Sequence, residues 1–419
     1  MVSPVSFFGC CPEDSLEAEV VVIGSELLLG QIVDTNSALI ARHFAGIGLN
    51  LFYKTTVGDN LARATAVLRQ ALTRADIVVT SGGIGPTADD ITREAVAAAT
   101  GRELVFSEDL MKQIEAYFAS RGFRLSPSNR RQAFIPAGAI PVENPVGTAP
   151  AFIVEYEGKT VITLPGVPRE LEYLLTRRAI PYLRDRYGLK GEIRLRVLKT
   201  VGIGESRIGE LLSDFMERGT NPTVGTLAHL GQVDIRIAAK DTDPAAAARL
   251  IEPVEAEIRA RLGDAVFGVD GATLEAEVGA RLAATGAQVA VVEAGSAGAV
   301  AGRLVPAIPD RVAATLVLGD YAGAGVLGVD TSGGDAEARA RALAAAVARW
   351  SRATVGAATY LEPVEGSTPP TVRVVLAVAV GDRVEVREHR FGGDAASIRI
   401  RAATLLLDLV RRSLAPPAA

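Results

Sequence analysis

Thr80–Glu94, TSGGIGPTADDITRE, packs three glycines, a proline and two adjacent aspartates into one short run. An apolar run, Ala75–Val79, precedes it, and an Ala-rich run, Ile91–Ala99, follows. A strand, a glycine-rich turn and a helix start make an anion site. The glycines let a ligand approach the backbone, and the first helical N–H groups present the positive end of the helix dipole. Gly82, Gly83 and Gly85 are therefore read as phosphate-binding residues; the competing reading is a plain strand–helix connection. Asp90 is the leading catalytic or metal-linked carboxylate, although Thr87-x-x-Asp90 also has the spacing of a capping box. Asp59 in Gly58-Asp59-Asn60 and Glu26 behind Gly24-Ser25 are two further carboxylates that could face a metal. Their structural alternatives are a turn residue and first-turn stabilisation of a helix.

These residues need a scaffold that brings them together. Glu19–Ile23 is a nearly continuous apolar run, as a central parallel strand should be. Asn36–Ile47 shows a helical apolar face, with Asn36 or Ser37 as its cap. Leu49–Thr56 alternates like a strand, Leu61–Arg74 reads as a helix and Ile77–Thr80 as a strand. This order implies a parallel α/β sheet with right-handed crossovers, which binds ligands at the carboxyl ends of its strands. Ser25, Glu26, Asp59, Gly82, Gly83 and Asp90 all fall at such ends.

Three later turns could face the same cleft. Pro127–Gln132 carries Arg130 and Arg131, a phosphate clamp or simply solvated loop charges. Asn144, Gly147 and Thr148 in NPVGTAP could shape a nucleotide pocket, as could Pro165 and Gly166 in PGVPRE, where Pro168 suits the first turn of a helix.

A chain of 419 residues suggests two or three domains. The reading places a disordered tail at 1–18, an α/β domain at 19–187, a small α+β module at 190–268 and a third α/β block at 270–415. A net charge of −5 argues against a broad nucleic-acid or membrane footprint. The GxxG-type loop Gly202–Glu205 has acidic flanks, so nucleic acid is not an expected partner. Cys10 and Cys11 are the only cysteines, which leaves no disulfide framework or zinc cluster and suits a cytoplasmic protein. No run is apolar and long enough to span a bilayer.

AEVVVIGSELLLGQIVDTNS, TTVGDN, SGGIGPTADDITREAV, SNRRQAFIPAGA, NPVGTAPAF, LPGVPRE, VGIGES and NPTVGTLAHLGQVDIRIAAK, in this order, resemble the competence/damage-inducible CinA family over about Ala18–Lys240. The resemblance implies a molybdopterin-binding fold like that of MoaB, Mog and gephyrin-type proteins, followed by a KH-like module. It further implies a divalent-metal-dependent hydrolase of the diphosphate in ADP-ribose and related dinucleotides, assembled as a homodimer. Asp90 and Asp59 match family aspartates, and they would be the catalytic carboxylates. Pterin binding or adenylylation, and a non-catalytic scaffold in competence or DNA repair, are the alternative functions.

The last block resembles the family's nicotinamide-mononucleotide deamidase domain in degraded form. The family's Glu-Ser-Cys-Thr-Gly-Gly stretch reads Glu293-Ala294-Gly295-Ser296-Ala297-Gly298, so the nucleophilic serine is replaced by Ala294. A hydroxyl nucleophile cannot act without its hydroxyl and an activating base. The expectation is an inactive domain.

Overall fold

The computed structural model describes residues 16–414, so Cys10, Cys11 and most of the expected tail lie outside the described residues. The described residues divide into two compact units: residues 16–194 with 239–250, and residues 195–238 with 251–414.

The first unit contains β1 (Glu17–Ile23), α1 (Ser25–Leu28), α2 (Thr35–Ala45), β2 (Asn50–Val57), α3 (Leu61–Arg74), β3 (Ile77–Ser81), α4 (Thr92–Ala99), β4 (Leu104–Phe106), α5 (Glu108–Ser120), β5 (Phe134–Pro136), β6 (Ile140–Val142), β7 (Ala151–Tyr156), β8 (Lys159–Leu164), α6 (Pro168–Leu174) and α7 (Ile180–Tyr187). Its main sheet has the order β2-β1-β3-β8-β7-β6. The first four strands run parallel, and β7 and β6 pair antiparallel beside them. Alternate residues along each strand face opposite layers. Val21, Val78 and Val161 pack with Leu68, Val96 and Ile114 on one face. Val20, Val79 and Ile162 pack with Ile40, Phe44 and Leu171 on the other. Both faces are covered, which is why these strands read as apolar runs rather than alternating ones.

β1 begins earlier than position 19, because Glu17 and Asp76 exchange hydrogen bonds: the Glu17 N–H donates to the Asp76 carboxylate at 2.9 Å, and the Asp76 N–H donates to the Glu17 carbonyl at 2.9 Å. Glu19 is the one charged residue of that strand's interior and is fully buried. Arg74 of α3 donates to both of its oxygens at 2.8 Å, and Thr55 donates at 2.6 Å. The cap of α2 is Asp34, whose carboxylate accepts the Ser37 N–H at 3.0 Å, so neither Asn36 nor Ser37 caps it. Asn36 instead turns inward toward the sheet.

The remaining elements are β9 (Glu192–Val201), α8 (Glu205–Leu211), α9 (Ser213–Arg218), β10 (Thr223–His229), β11 (Gln232–Asp241), α10 (Pro244–Leu262), β12 (Val266–Val269), α11 (Leu274–Ala284), β13 (Val289–Ala294), α12 (Ala301–Ala307), β14 (Val312–Leu318), α13 (Ala336–Ser351), β15 (Val355–Val364), β16 (Thr371–Val380), β17 (Arg383–Gly392) and α14 (Ala395–Ser413). One sheet runs β10-β11-β9-β12 and another β14-β13-β15-β16-β17. In the latter, β14, β13 and β15 are parallel, while β16 and β17 form a hairpin across Gly381-Asp382. In the second unit, the Gly202 turn lies against α14: a Cβ there would meet the Asp408 carboxylate at 3.4 Å and the Arg412 guanidinium at 3.6 Å. Among the described residues, no helix is long and apolar enough to cross a membrane.

Candidate functional site

The carboxyl ends of β1, β2, β3 and β8 open into a single cleft of about 380 Å³. Gly82, Gly83, Gly85, Glu26, Asp59, Asp90, Thr148, Pro165 and Gly166 all line it. The turn after β3 needs its glycines. Gly82 and Gly83 have φ of 96° and 65°, and a Cβ on Gly82 would lie 2.4 Å from the Ile23 carbonyl oxygen. Thr92 staples the turn to α4, its hydroxyl donating to the Gly82 carbonyl at 2.7 Å and its N–H to the Gly83 carbonyl at 3.0 Å.

Arg93 adds a second brace. It is 2% exposed, and its guanidinium donates to the Ile84 carbonyl at 2.5 Å and to the Gly85 carbonyl at 2.7 Å. Burial lowers its pKa below the ordinary arginine value, with the nearby Glu94 and Asp90 charges acting in the opposite sense. Arg131 holds the far side of the turn, donating to the Thr87 carbonyl at 2.6 Å and to Glu94 at 3.0 Å.

Asp90 is engaged within the turn. One carboxylate oxygen accepts the Gly85 N–H at 2.7 Å; the other accepts the Thr87 N–H at 2.8 Å and the Thr87 hydroxyl. This corrects the capping-box reading: α4 is preceded by Ile91, which makes no side-chain capping bond. The turn's donors are also partly committed, since the Gly82 N–H bonds to the Leu164 carbonyl at 3.2 Å.

Asp59 and Ser25 bond reciprocally. The Ser25 N–H donates to the Asp59 carboxylate at 2.8 Å, and the Asp59 N–H donates to the Ser25 hydroxyl at 3.1 Å. Glu26 folds back over Gly24, where a Cβ would approach its carboxylate within 2.7 Å. Among the described residues, no three His, Cys, Asp or Glu side chains converge closely enough to hold an ion. The expected trio of Asp90, Asp59 and Glu26 therefore shares a cleft without forming a ready-made ion site, because Asp90 and Asp59 are turned toward backbone N–H groups.

Five expected residues stand outside the cleft lining: Ser25, Arg130, Arg131, Asn144 and Gly147. Arg130 stacks on Phe106, 4.1 Å from the ring centroid, and its neighbour Arg131 is the one that reaches the turn. Asn144 is fully buried and acts through Glu170, donating to its carboxylate at 2.6 Å and to the Ala149 carbonyl at 2.9 Å. Gly147 is glycine because a Cβ there would overlap the Glu170 carboxylate.

Glu170, Asp89 and Gln132 line the cleft and were not singled out in the sequence. Glu170 could have been found: it sits in the first turn of α6 behind Pro165-Gly166, a second strand-to-helix junction of the same kind. Burial pushes its carboxyl above the ordinary value, partly opposed by the Asn144 hydrogen bond. Five acidic residues thus line the cleft (Glu26, Asp59, Asp89, Asp90 and Glu170), and no Lys, Arg or His is among its described lining residues.

In the other unit, Ala294 ends β13 where the resemblance requires a serine. Ser296 is fully buried; its hydroxyl donates to Glu293 at 2.7 Å and pairs with the Thr359 hydroxyl at 2.6 Å. Glu293 in turn accepts the Val300 and Ala301 N–H groups at 3.2 and 2.8 Å.

Residues 19–185 match the family described as "Probable molybdopterin binding domain", and residues 195–268 match the "Damage-inducible protein CinA KH domain". The chain is 36% identical over 410 residues to a competence-damage inducible protein of Caldicellulosiruptor saccharolyticus, covering 95% of this chain and 99% of that one. It is 39% identical over 411 residues to a competence-damage inducible protein of Moorella thermoacetica, with coverage of 95% and 99%. A solved CinA structure from Thermoplasma acidophilum is 39% identical and covers 40% of this chain and 98% of its own, at a TM-score of 0.38. Near-complete coverage at this identity means that the chain belongs to the competence-damage inducible, or CinA, family.

Proposed function

We propose that the first unit hydrolyses the diphosphate of ADP-ribose or a related dinucleotide. The observation that supports this reading is the charge of the cleft: five carboxylates and no basic side chain among its described lining residues. A diphosphate is repelled by such walls unless a divalent cation accompanies it. Magnesium-type ions are typically held by one or two carboxylates plus substrate phosphate oxygens, so a preassembled protein cage is not required. Two of the three carboxylates Glu26, Asp59 and Asp90, together with the phosphate oxygens, would hold that ion, which would supply charge neutralisation on the phosphate oxygens.

The chain's own residues do the rest. The glycine turn lets phosphate oxygens approach the backbone, and Arg93 and Arg131 keep its shape. Glu170, fixed by Asn144, takes a proton from the attacking water. Water adds to one phosphorus, the bridging P–O bond breaks, and AMP and ribose 5-phosphate leave.

The test is turnover of ADP-ribose by the full-length protein with and without divalent metal, beside Asp90→Asn. Metal-dependent AMP release that collapses in the variant is expected; absence of turnover with every common divalent ion overturns the reading.

A second reading, molybdopterin binding, is favoured by the description of the matched family. It predicts tight pterin binding with ATP turnover in place of ADP-ribose hydrolysis. For the other unit we propose no deamidase activity, because Ala294 lacks a hydroxyl and that of Ser296 is buried and committed to Glu293.

A further inference from the structure

Asn144 is the hub of the loop beside Glu170. Its Oδ1 accepts the Val146 N–H at 3.2 Å, which fixes which way the amide points and turns its Nδ2 toward the Glu170 carboxylate and the Ala149 carbonyl. A further bond reaches it from another element: Gln113, on α5, donates through its Nε2 to the Asn144 backbone carbonyl at 2.7 Å. One turn on, the Tyr117 hydroxyl donates to the Val146 carbonyl at 3.4 Å. After one more turn, Arg121 donates to that hydroxyl, with its guanidinium 4.1 Å from the Tyr117 ring centroid.

Gln113, Tyr117 and Arg121 are spaced at i, i+4 and i+8, so they share one face of the helix. The neighbouring stripe, Leu110, Met111 and Ile114, is buried in the core and pins α5 in place. Gln113 itself lies outside the cleft lining and reaches the site through Asn144. Its Oε1 is buried without a partner among the described residues. A buried acceptor left unpaired is unfavourable, and an apolar side chain of the same length would avoid it. The amide is therefore explained by its bond to Asn144.

We propose that Gln113 is a positioning residue for Glu170: α5 holds the Asn144 carbonyl, and Asn144 in turn presents the Glu170 carboxylate to the cleft. The proposal rests on the reading of Glu170 as the proton acceptor in diphosphate hydrolysis and extends that machinery to an element outside the cleft. The linkage has a chemical consequence. Burial raises the Glu170 pKa, and the Asn144 hydrogen bond and the Arg121 charge oppose that rise. The other charged groups near Glu170 are the cleft residues Glu26, Asp59, Asp89 and Asp90. Releasing the Asn144 loop from α5 therefore both misplaces the Glu170 carboxylate and makes it hold its proton to higher pH. A brace that acted on stability alone would do neither.

The experiment follows the Glu170 carboxyl directly, by carbon NMR titration of the full-length protein with isotope-labelled glutamate side chains. The Glu170 signal is identified by its loss in Glu170→Gln. Gln113→Met keeps the length and removes the donor, and its Glu170 midpoint is expected to move to higher pH. Tyr117→Phe, which removes only a hydroxyl, is the milder second variant and should move it less, in the same sense. Ile114→Val, in the buried stripe of the same helix, should lower stability to urea and leave the midpoint in place. Steady-state kinetics with ADP-ribose and magnesium give the second readout. For Gln113→Met, kcat should fall at least about tenfold with KM nearly unchanged, because the defect lies in placing the base. An unmoved midpoint in both Gln113→Met and Tyr117→Phe overturns the proposal, as does an equal shift in Ile114→Val, which would mark a general loosening of α5. A shifted midpoint beside an unchanged kcat overturns the positioning role. Absence of hydrolysis by the wild type, with the midpoint shifted in Gln113→Met, sinks the hydrolase and spares the link from α5 to Glu170.

Discussion

The Gly85 N–H donates to the Asp90 carboxylate at 2.7 Å, and a Cβ on Gly85 would lie 2.6 Å from that same carboxylate and push it aside. The glycine turn and the aspartate thus form one closed unit, and each holds the shape of the other.

Disturbing either partner should therefore affect catalysis in the same way. Gly85→Ala and Asp90→Asn are each expected to lower kcat/KM for ADP-ribose by about 100-fold, the scale of a misplaced reacting group. Steady-state kinetics checks this, with circular dichroism confirming that both variants remain folded. A Gly85→Ala enzyme of full activity would show that the turn is not part of the site.

Glu170 should set an acid limb. Burial raises its pKa above the ordinary value of 4.5. As a proton acceptor it must be ionised, so kcat/KM rises with pH through the raised pKa, and Glu170→Gln should abolish that limb along with most activity. Stability responds in the opposite direction. Between the ordinary and raised values the folded protein keeps a proton that the unfolded chain has released, so stability falls as pH increases across that window and stays lower above it. Glu170→Gln should flatten this slope, and urea unfolding from pH 4 to 8 measures it.

The Arg74–Glu19 pair should matter for stability rather than chemistry. Arg74→Met leaves the fully buried Glu19 carboxylate without its bidentate partner and should lower stability. The double variant Arg74→Met/Glu19→Met should recover part of that loss, since it removes the stranded charge. Urea denaturation of the single and double variants decides it.

Nicotinamide mononucleotide should release no ammonia when incubated with the protein. Ser296→Ala should change only stability, by about 1 kcal/mol for the lost buried hydrogen bonds. Sustained ammonia release that Ser296→Ala abolishes would restore a deamidase in this unit.

The sequence alone determined the β–α order of the first unit, since both faces of a parallel sheet demand apolar runs such as Val20–Ile23 and Ile77–Val79. It also placed Gly82, Gly83, Asp59, Asp90 and Pro165-Gly166 at one edge, because ligand-facing turns follow strand ends. What it could not decide was the use of each polar group. Asp90 reads as a catalytic or metal-linked carboxylate or as part of a capping box, and only the fold brings the Gly85 and Thr87 N–H groups to it. Arg130 and Arg131 are adjacent and chemically identical, yet one stacks on Phe106 and the other props the turn. Glu170 and Asn144 lie 26 residues apart, and Asn36 meets Gly166 across 130. Such pairings are long-range, so local propensity and spacing carry no record of them. They exist only once the sheet has brought four strand ends into one cleft.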